Sequence, residues 1–295
     1  MPRVTPRMHA DELDVSESLV RQLLREQFPQ WADLPLTRIE PEGTVNVIFR
    51  LGAELSVRIP RRDGPTKPGG KESEWLPRLA AQLPLEVPVP LAQGRPTDAY
   101  PWFWDVYNWV EGETVAVESI DEIEAARDLA AFVSALQRID PRGAPTGRGI
   151  PLVERDKSMG GWLARFDGNR LVQKEWRRAV AAPAWDGPPV WTHGDLDARN
   201  WLVKKGRITG IIDWGSMGVG DPACDVMVAW KLHSSRARDV FREELQPDDA
   251  TWDRARGWAL SQAVAALAYY TPVNNAALYR EAESWLELVL SEPQR

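Results

Sequence analysis

VWTHGDLDARNWLVKKGRITGIIDWGSMGVGDPACD, residues 190–225, sets three polar residues, Asp195, Asn200 and Asp213, around two short apolar runs. Trp201-Leu202-Val203 and Ile208 to Ile212 have strand character, and Lys205-Gly206 between them reads as a two-residue hairpin turn. Folding about that turn pairs Val203 with Ile208 and Asn200 with Ile211. Asp213 then falls two residues past Asn200's partner, on the same face, at a diagonal spacing of about 7–8 Å. A carboxamide and a carboxylate so placed can share a hard divalent cation, and Mg²⁺ takes such oxygen ligands. Asp195 lies in the loop feeding the first strand, where a second carboxylate can face the metal without being consumed by it. Loops are rich in Asp and Asn for ordinary turn chemistry, so any one of the three means little. The spacing of all three carries the reading.

Asp195, four residues, Asn200, then Asp213-x-Gly215 beyond a hairpin matches the order of the kinase catalytic loop and its metal-binding aspartate. More specifically, His193-Gly194-Asp195, Asn200, Asp213-Trp214-Gly215 and the later Gly220-Asp221-Pro222-Ala223 with Asp225 resemble the signature of the aminoglycoside phosphotransferase family. The resemblance implies an α+β, two-lobed protein-kinase-like fold: an antiparallel-sheet lobe over residues 1–110, a mainly helical lobe over 111–295, and an active site in the cleft between them. It implies ATP or GTP as phosphoryl donor, Mg²⁺ as cofactor and a hydroxylated small molecule as acceptor. Asp195 would orient the acceptor hydroxyl, Asn200 and Asp213 would bind the metal, and His193 would support the loop. Asp221 and Asp225 read as helix caps and anchors. Asp197 reads either as an acceptor contact or as a solvated carboxylate.

Composition bounds the rest. Among 295 residues, 43% are hydrophobic and 27% charged, ordinary for a globular protein of about two domains. A net charge of −7 argues against a nucleic-acid partner. It would suit a polycationic acceptor, although solubility explains it as well. One cysteine and three histidines exclude an internal disulfide and a multi-histidine or cysteine-rich metal centre. No apolar run approaches the roughly 18 residues of a membrane span, and the first residues lack a signal-peptide core. The expected location is the cytoplasm. Nothing in the sequence fixes the oligomeric state.

Upstream, residues 14–28 read as an amphipathic helix opened by an Asp14/Glu17 capping box and stopped by Pro29. Leu36 to Pro60 reads as strands. Gly43, Thr44 and Asn46 sit where the resemblance puts the loop over the nucleotide phosphates; by themselves they are an ordinary turn. Leu55, Val57 and Ile59 alternate toward a core and put Arg58 on the opposite face. Arg58 stands where kinases carry the lysine that holds the α- and β-phosphates. Arginine keeps the charge but is planar and larger. Its partner is Glu72, with Glu74 the competing choice, on a helix that contains Pro77. Leu83 to Pro90 reads as an extended connector. By analogy with kinase hinges, Tyr107, Asn108, Trp109 and Val110 would contact adenine.

Downstream, Ser119/Glu122 reads as a second capping box, followed by helices around Asp167-Gly168-Asn169, over 222–233, 252–270 and 275–290. Two other classes compete. Gly218 to Ala223 formally fits a dinucleotide fingerprint, but no strand runs into its first glycine and no βαβ unit flanks it. A catalytically inactive, kinase-like nucleotide-binding module is the alternative that Arg58 motivates. Only Trp214 to Val219 separates Asp213 from Gly220, too little for a peptide platform, which favours a small-molecule acceptor over a protein.

Overall fold

The structure, a computed structural model, describes residues 13–40, 46–62, 70–114, 117–166 and 169–291. It divides into two compact units, one comprising Met1–Ala81 with Glu86–Glu111, the other Gln82–Leu85 with Gly112–Arg295.

The first unit is a five-stranded antiparallel sheet with two helices. Helix α1 spans Glu17–Gln27, β1 Leu36–Arg38, β2 Asn46–Leu51, β3 Leu55–Pro60, α2 Lys71–Ala80, β4 Pro90–Gly94 and β5 Trp104–Asn108. Strand order is β1-β2-β3-β5-β4. Alternation in β2 and β3 sends Val47, Phe49, Leu51, Val57 and Ile59 to one face, where they bury against Val20, Leu23 and Leu24 of α1. The cap of α1 is Ser16, two residues after the Asp14 expected, and its hydroxyl accepts from the Leu19 N–H (3.2 Å). Pro90 does not end a connector, as expected, but opens strand β4. That strand lies at the sheet edge, where a residue without an N–H is tolerated. Helix α2 runs from Lys71 through Pro77, as its containing that proline requires.

The second unit is mainly helical. Helices α3 (Glu122–Gln137), α4 (Asp156–Leu163) and α5 (Arg170–Ala181) precede four short strands, β6 (Val190–Thr192), β7 (Trp201–Lys204), β8 (Arg207–Ile211) and β9 (Gly218–Gly220). Helices α6 (Ala223–Val226), α7 (Ser235–Leu245), α8 (Asp249–Tyr269) and α9 (Ala276–Ser291) complete it. The cap of α3 is Asp121, which accepts from Ile123 and Glu124, rather than Ser119. Its carboxylate stands immediately before the first turn, where an anion is favoured. The strands form two ribbons, β6 with β9 and β7 with β8. Among the described residues no helix is long and apolar enough to cross a membrane.

Candidate active site

The β7–β8 hairpin positions the central residues. Lys205 and Gly206 both take positive φ (52° and 76°), the conformation of a type I′ turn, and Val203 pairs with Ile208 as expected. A bulge between Leu202 and Val203 then slips the register. Leu202 faces Gly210, Trp201 faces Ile211, and the Ile212 N–H donates to Asn200 O (2.9 Å). Asn200 is therefore opposite Ile212, not Ile211, and Asp213 follows that partner directly. On a regular strand the slip would send the two side chains to opposite faces. Asp213 does not continue the strand: it turns left-handed at φ 62° and ψ 69°. That conformation costs a non-glycine residue of order 1 kcal/mol, and such strain collects at functional sites.

Asn200 is buried, and its Nδ2 donates to Asp195 O (2.8 Å), which pins the amide and leaves Oδ1 as the atom available to a ligand. The Asp213 carboxylate is exposed, with no ion-pair or hydrogen-bond partner among the described residues. An available amide oxygen and an uncommitted carboxylate fit Mg²⁺, which takes few protein ligands and completes its shell with water and phosphate. No group of three or more His, Cys, Asp or Glu among the described residues could hold a metal by itself.

Asp195 is held from several directions. The backbone N–H groups of His193 and Gly194 donate to the buried Asp225 carboxylate (2.6 and 2.8 Å). Of the two roles read from the sequence, cap and anchor, Asp225 thus takes the second and ties down the loop. Burial raises its carboxyl pKa, against the pull of His193 and the two N–H groups. The His193 ring bridges two elements: Nε2–H donates to Ile212 O (3.1 Å) and Nδ1 accepts from the Asp195 N–H (3.2 Å). These bonds set the tautomer, and the ring packs edge-on to Trp214 (4.7 Å). Arg148 Nη1 donates to Asp195 Oδ1 and to Gly194 O (3.2 Å). Sequence reasoning missed Arg148, because it lies in a loop without periodicity.

Asp197 is neither an acceptor contact nor solvated. Its side chain is 2% exposed, beside Lys231 Nζ (3.3 Å) and Arg199 Nε (2.9 Å). Burial opposes its charge, but Lys231 and Arg199 outweigh that and hold the carboxyl well below its usual range. Lys231 is pushed down to about 8 by burial, against the attraction of Asp197, and its ammonium sits over the Trp285 ring (3.0 Å). Arg199 also reaches Glu281 (3.9 Å). A cavity of about 390 Å³ elsewhere in this unit, lined by Phe166, Tyr279 and Glu283 among others, contains none of these residues.

In the first unit, Arg58 Nη1 donates to Glu72 Oε2 (2.9 Å), and the Tyr107 hydroxyl donates to the same oxygen (3.0 Å). The Asn46 amide oxygen accepts from Arg58 Nε (2.9 Å) and Nη2 (3.2 Å). Asn46 is thus a buttress for Arg58. Gly43 and Thr44 lie outside the described residues. The four expected adenine contacts differ in what they leave available. Tyr107 is buried against Glu72, and the N–H groups of Asn108 and Trp109 already donate to Val89 O (3.2 Å) and Glu54 O (2.7 Å). Of the four, Val110 alone has a backbone N–H after the strand that pairs with no backbone group among the described residues.

Asp105 lies across the sheet from Arg58. Burial raises its carboxyl to about 6, against a hydrogen bond from Gln93 (3.0 Å) and the charge of Arg58. Because this folded value exceeds the unfolded one, the stability it contributes is full below pH 4 and is lost as pH rises through about 6. Asp105→Asn should therefore gain about 2 kcal/mol over the wild type at pH 8 relative to pH 4. Urea unfolding at both pH values checks this; parallel pH profiles would refute it.

The model of the phosphotransferase enzyme family matches residues 36–258. The chain is 28% identical over 203 residues to an aminoglycoside 3'-phosphotransferase of Streptomyces fradiae, covering 61% of this chain and 69% of the relative. To an Escherichia coli protein of the same name it is 32% identical over 89 residues, 30% of each chain. Among solved structures, the GDP complex of wild-type aminoglycoside 2'-phosphotransferase-IIIa superposes with a TM-score of 0.70 at 16% identity, covering 94% of this chain and 99% of that one. The macrolide 2'-phosphotransferase MphH of Brachybacterium faecium gives 0.63 at 21% identity, covering 94% and 99%. These two share the kinase-like fold. The family match spans both units and includes every residue of the loop and hairpin described above, so the chain belongs to the phosphotransferase enzyme family.

Proposed function

We propose that the protein transfers the γ-phosphoryl group of a nucleoside triphosphate to a hydroxyl of a small molecule in the cytoplasm. The observation that carries this is the Asp195 carboxylate, braced through Arg148, His193 and Asp225, beside an amide whose oxygen is left for a cation. Oδ2 of Asp195 has no partner among the described residues and is the atom for the acceptor hydroxyl. The acceptor oxygen forms the new P–O bond as the bond to the leaving nucleoside diphosphate breaks, and the hydroxyl proton passes to Asp195. Asn200 Oδ1 and Asp213 would hold Mg²⁺, which when bound neutralises charge on the phosphate oxygens. Residues 1–110 serve the nucleotide: Arg58, fixed by Glu72, Asn46 and Tyr107, faces the α/β-phosphates, Gly43 and Thr44 are assigned to the phosphate loop by the family resemblance alone, and Val110 offers a backbone edge to the base. Residues 111–295 serve the acceptor.

Aminoglycoside and macrolide phosphotransferases among the relatives make an antibiotic one candidate acceptor class. The test is Mg²⁺-dependent release of ADP or GDP over a panel of hydroxylated compounds. Nucleotide binding without turnover on any acceptor would instead favour a binding module. Arg58→Ala should weaken ATP binding by about 1.5–3 kcal/mol, the range for hydrogen bonds to charged groups, read by calorimetry. Unchanged affinity would remove Arg58 from the nucleotide site.

A further inference from the structure

The carboxylate of Asp195 is paired with a cation that the fold itself puts in place. Arg148 is not a loosely placed surface arginine. Its N–H donates to Ser216 O (3.2 Å), and the preceding residues run alongside β9, with a parallel bridge from Thr146 to Val219. The flanking glycines allow this approach. A Cβ on Gly147 would lie 2.7 Å from Gly218 N, and one on Gly149 would lie 3.2 Å from Asp221 N. This seam sets the Arg148 backbone directly behind Gly194, where a Cβ would lie 3.1 Å from Arg148 Cβ.

The guanidinium uses only Nη1, for Asp195 and Gly194, among the described residues. Nε and Nη2 have no partner among those residues, and the side chain is 40% exposed. One edge of the fork thus grips the catalytic carboxylate while the other is open to solvent beside it. Two further cations, Arg199 and Lys231, lie within electrostatic reach of Asp195. The carboxylates nearest them are already engaged: Asp197 by both, Glu281 by Arg199. An ammonium group at the open edge of Arg148 would meet repulsion, whereas an oxyanion would meet a planar two-donor fork.

We infer that the acceptor carries a carboxylate or phosphate near the hydroxyl it offers to Asp195, and that Arg148 is the residue selecting it. The inference rests on the phosphotransferase reading of Asp195 but makes a separate prediction about charge. The overall charge of −7 leaves a polycationic acceptor open; the unused edge of Arg148 beside Asp195 points the other way.

Ligand-observed NMR titration of the full-length protein tests this without requiring turnover. The probes are gluconate against sorbitol, glycerol 3-phosphate against glycerol, and kanamycin as polycation. Each anion should bind at least about tenfold tighter than its neutral counterpart, and the stronger of the two pairs identifies carboxylate or phosphate. Arg148→Gln should reduce that preference to within about threefold, Arg148→Lys should retain part of it, and Arg148→Glu should bind kanamycin about tenfold tighter than the wild type. Equal binding within both pairs, or a preference unmoved in Arg148→Gln, would overturn the inference. So would kanamycin turnover by the wild type, which would leave the kinase reading standing. Preserved charge selectivity with no nucleotide turnover on any acceptor would do the reverse.

Discussion

Asp195→Ala is expected to lose about 3–5 kcal/mol of transition-state stabilisation, a fall in kcat of roughly 10²–10⁴. Fold and nucleotide affinity should survive. The reason lies in how Asp195 is held. Its only side-chain partner among the described residues is Arg148, and the two side chains are 30% and 40% exposed. An ion pair so open to water contributes at most about 1 kcal/mol to stability. The loop around it is fixed by other groups: Asp225 on the His193 and Gly194 N–H, and Asn200 Nδ2 on the Asp195 carbonyl, which alanine retains. Activity and stability should therefore separate cleanly, with the melting temperature almost unmoved. Single-turnover phosphoryl transfer, alongside calorimetric ATP binding, is the measurement. A kcat within tenfold of wild type would remove Asp195 from the chemistry, whereas a matching collapse of ATP affinity would move it into the nucleotide site.

The hairpin was readable because its turn is. Lys205-Gly206 dictates a two-residue turn, and the first pair, Val203 with Ile208, follows from it. The next step failed because Thr209 is an extra residue on β8, and a bulge leaves no mark in an alternation only four or five residues long. Periodicity gave the same face for Asn200 and Asp213; the chain instead turns left-handed at Asp213, a backbone device that no side-chain pattern encodes. The helices were legible by their apolar stripes, and their caps only to within two residues, because Ser16 and Asp121 compete with equally good caps beside them. The supporting groups were the least visible. Arg148 is placed by backbone packing among Gly147, Gly149, Gly218 and Gly220, and Lys231 lies in a run that looks wholly apolar until Asp197 folds against it. Such long-range pairings depend on tertiary placement, which one sequence does not display.

That dependence predicts the second large effect. Arg254 and Asp221 form an ion pair in which both side chains are 4% exposed. Arg254 Nε donates to Oδ2 (2.7 Å) and Nη2 to Oδ1 (3.1 Å), while the same guanidinium reaches Pro183 O (2.6 Å) and Thr251 Oγ1 (3.1 Å). Asp221 Oδ1 also accepts from the Ala223 N–H (2.9 Å), at the first residue of α6. Arg254→Met removes the cation and leaves a buried carboxylate with that one N–H, a change that costs about 3–5 kcal/mol. For a chain of this size the melting temperature should fall by roughly 10 °C. Adding Asp221→Asn should recover part of the loss, since the amide oxygen keeps the hydrogen bond from the Ala223 N–H without the uncompensated charge. Because Asp225, which holds the Asp195 loop, lies on the same short helix, activity should weaken, yet below the melting range it should fall less than in Asp195→Ala. Differential scanning calorimetry of the wild type, both single variants and the double variant gives the coupling. A melting temperature within 2 °C of wild type for Arg254→Met would mean that water reaches Asp221 and that the pair is not the buried anchor its geometry indicates.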